Sequence, residues 1–524
     1  MRGSTSELTP PPPLRRGALW TTLAAIAAGA VTALVFLIRA GGEGATNWPT
    51  NWELRSSDNG VLFQLLQDVA AGRTLDWSFS PQVYVFPELP ISALAFALSG
   101  GNLWGYYLLV AVLNNVLLFL ALYLVVRLLF HGEWITRAWV AFLPLVVLPL
   151  VGTTWLFSYH LAPTYYFGMY LLLIGAPAVF LVRSSWARWS LAAAIVLTAA
   201  SNPLALVFAF PAFAAVLVLL GIRTGWRSLA RPALLAGVLL VGALLVRVGF
   251  APLQGTSPLS YIDGEIFAGR LANFPPYLEA LWADAATRAT LVICAIAALL
   301  TLAGAVIATV RLVRRRGEDT LLVAAWYGLV PLGGLAGTAV LMITHTLYLW
   351  PVLVLPLVLV LLPLPTGWAR WMLGAGVAGA LLLALVSGLP ANLLTPERYF
   401  GHRSDETVCL DEKLPAGSEI GYATFSDARR LALPSARGIR LIPLKSDGEQ
   451  AGWLANLDYL RADTGRFFYV NELGDEAAID QGFITGNFGE PDERLDCGEG
   501  RSIWLYTDDG KLDAIGEHFR TRDR

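Results

Sequence analysis

Apolar runs of about 20 residues recur along most of this 524-residue chain, and each is long enough to cross a bilayer. Only 15% of the residues are charged, whereas about a quarter are charged in soluble proteins. The sequence therefore predicts a polytopic α-helical membrane protein with about eleven transmembrane helices. The predicted spans are roughly 18–38, 103–128, 138–157, 164–182, 187–201, 204–221, 232–250, 288–311, 320–343, 347–363 and 369–388.

The distribution of arginine predicts how these helices are oriented. With a cytoplasmic N-terminus, every inner loop is basic, as the positive-inside rule requires. The arginines concerned are Arg137, Arg183, Arg188, Arg223, Arg227, Arg231, Arg314, Arg315, Arg316 and Arg370. Residues 1–17 are predicted to be a disordered cytoplasmic tail, and the long loops 39–102 and 251–287 are predicted to lie outside. The first apolar run is too long for a cleaved signal peptide, so we expect a retained span.

Residues 401–524 differ in character from the transmembrane domain, predicted over residues 18–400. They hold 24 acidic and 15 basic residues, against 15 and 22 in residues 1–400. Short β-like runs alternate with helical patterns: strands at Glu419 to Ala423, Ile439 to Leu444, Phe467 to Val470 and Ser502 to Tyr506, and helices at Ser426 to Leu433 and Glu476 to Phe483. This segment is predicted to be a small extracytoplasmic α/β domain.

Three cysteines occur in the chain. Cys409 and Cys497 fall near the two ends of the external domain, where an oxidising location favours a disulfide between them. Two free thiols are the alternative. Cys294 lies in a predicted span and is expected to pack as a small apolar residue.

Asp58 is the first candidate for chemistry, because it lies just outside the first span. A carboxylate at the lipid–water boundary can act as a general base on a substrate whose carrier stays in the bilayer. The alternative is a helix N-cap, since Ser57, Asp58 and Asn59 precede a helical apolar pattern. Glu88, between Pro87 and Pro90, is a second candidate site carboxylate, or an exposed acid at an interfacial turn.

Two histidines and three arginines on the predicted outer side are candidates for binding a substrate or its phosphate. His160 and His345 lie in short outer loops and can bind phosphate or shuttle a proton, or form only local hydrogen bonds. Arg247, Arg270 and Arg288 offer guanidinium groups that match phosphate oxygens. The alternatives for Arg247 are snorkelling and an ion pair with Asp263, Glu265 or Asp284. No local spacing of ligands specifies a metal site.

The first outer loop resembles a known pattern. Asp58-Asn59-Gly60, followed by Leu65, Ala70-Ala71-Gly72-Arg73 and Phe86-Pro87-Glu88, is similar to the first loop of bacterial members of the GT-C superfamily of membrane glycosyltransferases. The order of span, long outer loop, many spans and external domain resembles the same superfamily. The chain lacks the adjacent acidic pair of protein mannosyltransferase-like members and the WWDxG-type signature of oligosaccharyltransferases, so the subfamily stays open.

This resemblance implies an inverting transfer of a sugar from a polyprenyl-phosphate donor to a glycan, lipid or protein of the bacterial cell envelope, at the outer face of the inner membrane. It implies Asp58 as the base. Glu88, His345, His160 and Asn59 would support the site, with Arg247 and Arg288 at the donor phosphate. A need for a divalent metal is left open, and no nucleic-acid partner is expected. The alternatives are a transporter or flippase for a lipid-linked sugar and a non-catalytic assembly protein.

Overall fold

The computed structural model describes residues 14–40, 57–130, 132–151, 157–164, 166–225, 227, 230–255, 268, 272, 275–276, 279, 282–283, 285–314, 326–327, 329–330, 350–362, 367–368, 370–372, 374–376, 378–379, 403–458, 464–471 and 478–521. In this part of the chain the helices are α1 Leu14–Ala40, α2 Ser57–Ala70, α3 Glu88–Leu98, α4 Leu103–Leu129, α5 Trp134–Val151, α6 Phe167–Gly175, α7 Ala178–Leu181, α8 Ser185–Ser201, α9 Leu204–Thr224, α10 Ala230–Phe250, α11 Ala285–Val313, α12 Trp350–Val360, α13 Asp405–Lys413, α14 Phe425–Ala432, α15 Gln481–Phe488 and α16 Asp509–Thr521.

The number of full spans is smaller than the sequence predicts. Within the described residues, four helices are long and apolar enough to cross a bilayer: Leu19–Leu37, Leu103–Leu129, Pro232–Leu253 and Thr287–Arg311. The expectation of about eleven is therefore wrong for this part of the chain. Hydropathy counts apolar residues but not helix breaks: the predicted span 164–182 is divided between α6 and α7 next to Pro177. Much of the predicted spans 320–343 and 369–388 lies outside the described residues.

Proline also occurs within three other apolar helices. α5 contains Pro144 and Pro149, α9 contains Pro211 and α12 contains Pro356. Between α8 and α9 the chain breaks at Asn202, and the Asn202 side chain accepts a hydrogen bond from Leu204 N at 3.0 Å. Because proline has no backbone N–H, each of these helices lacks one backbone donor at its proline.

Helix α4 lies at the centre of the bundle, where it packs against α1, α3, α5 and α6. Its residues Leu118, Phe119 and Leu122 are fully buried. Contact with α1 is close because Gly29 faces α4, and a β-carbon there would lie 3.2 Å from two valine methyl groups. Asn115 Nδ2 donates to Thr32 Oγ1 at 3.1 Å across the same contact. Close packing and one interhelical hydrogen bond therefore join the first long helix to the second.

The C-terminal segment forms a five-stranded mixed sheet with helices packed around it. The strands are β2 Ile420–Thr424, β3 Arg440–Leu444, β5 Phe467–Asn471, β6 Glu493–Gly498 and β7 Arg501–Leu505, in the order β3-β2-β5-β7-β6. β2 is parallel to both β3 and β5, whereas β7 is antiparallel to β5 and β6. The four predicted strands agree with the structure to within about a residue. Strand β6 and helices α13 and α16 were not predicted.

The segment between α1 and α4, predicted to be the first outer loop, joins the bundle to the C-terminal domain, predicted to be external, and we keep both names from those predictions. Its strand β1, Trp77–Ser78, pairs antiparallel with β4, Ala455–Asn456, in the external domain. Leu457 N adds a hydrogen bond to Asp76 O at 2.7 Å. On its other side the loop meets the end of α10, where Phe79 N donates to Leu253 O at 2.7 Å. We call this meeting of loop, bundle and external domain the junction.

The external domain is cross-linked by a disulfide between Cys409 in α13 and Cys497 in β6, the pairing expected from the sequence. The two Cα atoms are 5.7 Å apart, and the bond closes a loop of 88 residues. In the chain-entropy model, closing a loop of this size stabilises the folded state by about 4–5 kcal/mol. Cys294, in α11, is a buried free thiol, as predicted.

We expect the Cys409→Ser/Cys497→Ser variant to unfold at a lower temperature than the wild type, because its unfolded external domain has more conformations. Thermal unfolding of the full chain in detergent, with and without a reducing agent, measures the difference. The reductant should lower the wild-type midpoint and leave the double variant unchanged. A wild-type midpoint that the double substitution does not lower would contradict the stabilising role.

Candidate functional site

Asp58 lies in the first turn of α2, at the junction. Burial raises the pKa of its carboxyl from 3.8 to about 6, while the positive charge of Arg429 acts in the opposite direction. Within the described residues, Asp58 Oδ1 is shielded from solvent and has no hydrogen-bond partner. The carboxylate is therefore ionised at neutral pH and retains an oxygen that can accept a proton.

Arg429, in α14 of the external domain, faces this carboxylate. It is 4% exposed, and its Nε donates to Gln64 Oε1 of α2 at 2.7 Å. Burial lowers the pKa of Arg429 to about 10, and the negative charge of Asp58 is the first of the influences that oppose this. The guanidinium therefore stays charged at neutral pH. The sequence alone did not single out Arg429, because nothing in it reveals contact with a helix more than 350 residues earlier.

Gly60 allows α2 and α14 to approach each other. A β-carbon at this position would lie 2.5 Å from Leu433 Cδ1 and 3.3 Å from Arg429 Cβ. The next residues of α2, Val61 and Leu62, are fully buried in an apolar cluster that includes Leu454 of the external domain. The order Asp58-Asn59-Gly60 thus places the carboxylate beside the arginine at a close helix contact. Asn59 is itself fully buried.

Glu88 begins α3, which has 11 residues and is too short to span the bilayer. Its Oε1 accepts a hydrogen bond from Gly168 N at 2.8 Å, and a β-carbon on Gly168 would lie 2.5 Å from Pro87 Cδ. Burial raises the pKa of Glu88 to about 8, although this hydrogen bond favours the charged form. Glu88 is thus mostly protonated at neutral pH. Within the described residues no hydrogen bond joins it to Asp58.

Arg247 binds backbone carbonyls in the structure. Its Nη1 donates to Pro81 O at 3.1 Å and to Ala200 O at 3.2 Å, and its Nη2 donates to Pro81 O at 3.2 Å. These bonds tie α10 to the outer loop and to the end of α8. They account for a charge within an apolar run, and a contact of Arg247 with a donor phosphate stays a prediction.

His160 also has a structural role. It is fully buried, its Nε2 lies 2.9 Å from Leu145 O, and its own carbonyl accepts from Asn114 Nδ2 at 3.2 Å. Burial lowers the pKa of His160 to about 4, so the ring is neutral at physiological pH. These contacts join α4 to α5 and agree with the alternative of local hydrogen bonds, while substrate binding by His160 stays a prediction.

Of the other predicted residues discussed so far only in the sequence, the structure describes Arg288. Arg288 is exposed on α11, where no contact to the junction is seen in the described residues. His345 lies outside the described residues, as do Arg270, Asp263, Glu265 and Asp284. In the part of the chain that the structure describes, no group of three or more His, Cys, Asp or Glu side chains is placed to hold a metal ion.

A groove of about 530 Å³ runs along the junction beyond Arg429. One wall is α2 with the residues that follow it, and the other is α14 with the start of β3. Its charged and amide side chains are Gln64, Gln67, Asp68, Arg73, Arg429 and Arg440. Asp68 is almost fully buried, pairs with Arg73 at 3.2 Å and accepts from Asn456 Nδ2 at 3.1 Å. We call this cavity the arginine groove, since three guanidinium groups line it against one carboxylate.

We expect Glu88→Gln to match the wild type in stability at about pH 3 and to exceed it increasingly from about pH 4.5 towards pH 8. At pH 3 the Glu88 carboxyl is protonated in both the folded and the unfolded chain. Above the ordinary pKa of 4.5 only the unfolded chain ionises readily, because burial raises the folded-state pKa to about 8. Thermal unfolding midpoints between pH 3 and 8.5 measure this.

Glu88→Ala is the matched control, because it leaves Gly168 N without its acceptor. We expect it to be less stable than Glu88→Gln at every pH, by about 1–3 kcal/mol. A constant difference between Glu88→Gln and the wild type across the pH range would contradict the raised pKa.

No family model matches the chain, and neither the curated proteins nor the solved structures searched contain a significant match.

Proposed function

We propose that this chain is a membrane glycosyltransferase that moves a sugar from a polyprenyl-phosphate donor to a cell-envelope acceptor. Transfer takes place at the outer face of a bacterial inner membrane, and Asp58 is the general base. The observation that carries the proposal is the environment of Asp58: a carboxyl with a pKa of about 6, opposite Arg429, with a shielded oxygen. A base is most effective when its pKa lies near the working pH.

The transfer is a single displacement. A hydroxyl oxygen of the acceptor attacks the anomeric carbon of the donor sugar, and Asp58 takes the hydroxyl proton. The bond between the anomeric carbon and the phosphate oxygen breaks, and the polyprenyl phosphate leaves with the electron pair. Configuration at the anomeric carbon is inverted. Arg429 keeps Asp58 ionised, since its positive charge opposes the effect of burial on the carboxyl pKa.

The position of the polar side chains favours an enzyme over a flippase. A transporter needs substrate groups near the middle of the membrane. Two polar side chains buried in the described bundle bond to the protein itself: Asn115 Nδ2 donates to Thr32 Oγ1, and His160 Nε2 lies within hydrogen-bond distance of Leu145 O. Asp58 and Arg429, by contrast, lie at the junction.

We expect Asp58→Asn to lower the rate of sugar transfer by about 10²–10⁴-fold, because the amide cannot accept the hydroxyl proton. Purified full-length protein in lipid, mixed with a panel of radiolabelled polyprenyl-phosphate sugars and envelope extract, measures the transfer. Asp513→Asn, on the exposed face of α16, is the matched control and should transfer normally. Transfer by Asp58→Asn at the wild-type rate would refute Asp58 as the base.

The proposal that this chain is an enzyme would be refuted if no donor supported transfer and Asp58→Asn still complemented a deletion strain. It would favour the alternative of a non-catalytic envelope protein whose external domain is the working part.

The transfer rate of the wild type should fall as the pH drops through about 6, because the base becomes protonated. Arg429→Met should move this limb of the profile to higher pH, since the charge that lowers the Asp58 pKa is lost. Arg429→Lys keeps a positive charge and should move it less. The profile of kcat/KM between pH 5 and 9 measures all three proteins. A limb at the same pH in Arg429→Met would show that another group controls the rate.

A further inference from the structure

The exposed and buried faces of α3 differ in polarity. Its exposed positions are all apolar and recur at helical spacing: Pro90, Leu94, Ala97 and Leu98. We call these four residues the outer stripe. Leu94 is 49% exposed and Leu98 is 64% exposed. The opposite face is buried and carries the polar side chains of Glu88 and Ser92. A helix that faces water has the reverse distribution, with apolar residues inside and polar residues outside.

Helix α16 of the external domain shows the distribution that water favours. Its exposed positions include Asp509, Asp513 and Glu517, whereas Ile515 and Phe519 are buried. The two helices have similar lengths, 11 residues in α3 and 13 in α16. This contrast within one chain indicates that the outer stripe has a different environment from the surface of α16.

Helix α3 is joined directly to a helix that is long enough to cross the bilayer. Only Ser99 to Asn102 separate it from the start of α4 at Leu103. No charged residue occurs between Glu88 and Arg127. About 20 apolar residues are enough to cross a bilayer, so this uncharged stretch is longer than one span needs and includes nearly all of α3. At about 16 Å, α3 is itself too short to cross.

The turn between α3 and α4 satisfies its own backbone donors. The N–H groups of Ser99, Gly100, Gly101 and Asn102 each donate to a backbone carbonyl of α3 or of the turn. Asn102 Oδ1 also accepts from Gly105 N at 2.8 Å, in the first turn of α4. Where lipid excludes water, backbone groups must be satisfied by the protein in this way. The connection is therefore suited to a position beside lipid.

We propose that α3 is embedded in one leaflet of the bilayer, with the outer stripe against the lipid acyl chains. By the predicted orientation this is the outer leaflet. The sequence alone predicts residues 39–102 to lie outside, and α3 is then a part of that segment that enters the membrane. Apolar side chains contact lipid while Glu88 and Ser92 face protein, as polar groups in membrane helices do. This placement does not depend on the proposed transferase.

The placement of α3 also sets the level of the arginine groove. Phe96 of α3 and Gly101 of the following turn line the groove. The Phe96 ring also packs on Phe63 of α2, with ring centroids 5.4 Å apart. With α3 in the leaflet, the groove therefore lies at the membrane surface.

Spin labels on single cysteines test the environment of the outer stripe, in full-length protein in phosphatidylcholine nanodiscs. Cys294, the buried free thiol, is first replaced by Ala, and the disulfide is kept. Leu94→Cys, Ala97→Cys and Leu98→Cys then carry the labels. Power saturation measures how often each label collides with oxygen, which is apolar and concentrates in hydrocarbon, and with a nickel complex that stays in water.

Two reference positions calibrate these collisions. Leu299, on the spanning helix α11, is 67% exposed, so Leu299→Cys reports lipid. Asp513→Cys, on the exposed face of α16, reports water. We expect the ratio of oxygen to nickel collisions on the outer stripe to be several-fold higher than for Asp513→Cys. It should stay below that of Leu299→Cys, because α3 lies at the end of α4.

Two results would overturn the proposal. A ratio equal to that of Asp513→Cys at all three positions would place α3 in water. Few collisions with either reagent would show that protein, such as a second copy of the chain, covers the outer stripe.

A pair of charged substitutions gives a second test. Leu94 and Ala514 are both exposed on helices, in α3 and α16. Leu94→Asp should lower the thermal unfolding midpoint in nanodiscs because a charge is unfavourable in lipid, whereas Ala514→Asp should leave it nearly unchanged. Equal midpoints for the two variants would contradict the embedded helix. Neither test uses a sugar donor, so failure of this inference and failure of the transferase are separate results.

Discussion

Burial of the Asp58 carboxylate opposite the Arg429 guanidinium is the constraint around which the junction is built. Removing a carboxylate from water is unfavourable, which is why the pKa of Asp58 rises to about 6 in spite of the nearby positive charge. The pair therefore contributes little to holding the external domain in place. The pairing of β1 with β4 and apolar contact contribute more: each large side chain in the cluster of Trp77, Phe79 and Tyr84 with Leu454 contributes about 1.5–3 kcal/mol on burial.

The first outer loop is held on several sides, and this fixes the position of Asp58, the proposed base. Its strand pairs with the external domain, Arg247 binds it at Pro81, and Ser201 Oγ accepts from Phe86 N at 3.0 Å. Glu88 then ties the end of the loop to α6 through Gly168 N. A reacting group is most effective when its supports are themselves rigid. The charged residues that the sequence offered as ligands thus serve largely as those supports.

Features that depend on neighbouring residues could be predicted from the sequence, whereas features that depend on distant contacts could not. Strands β2, β3, β5 and β7 could be predicted because each is a short run of apolar, β-branched or aromatic residues with turn residues on either side. Strand β6 was missed since Glu493, Arg494 and Asp496 make this edge strand polar. The spans were overcounted because mean hydropathy does not register a break such as Pro177. Arg429 could not be predicted, as its contact with Gln64 joins residues 365 positions apart.

The long separation in sequence between Gln64 and Arg429 affects how the protein is assembled. The groove and the environment of Asp58 need both α2, near the start of the chain, and α14, near its end. Contacts this distant in sequence form late, after the intervening helices are in place. A ribosome releases the residues of α14 only after every span has been made, and they must then reach the same side of the membrane as α2. An unfinished or misinserted chain would thus carry Asp58 without Arg429 beside it, and the carboxyl would lack the positive charge that favours its ionised form.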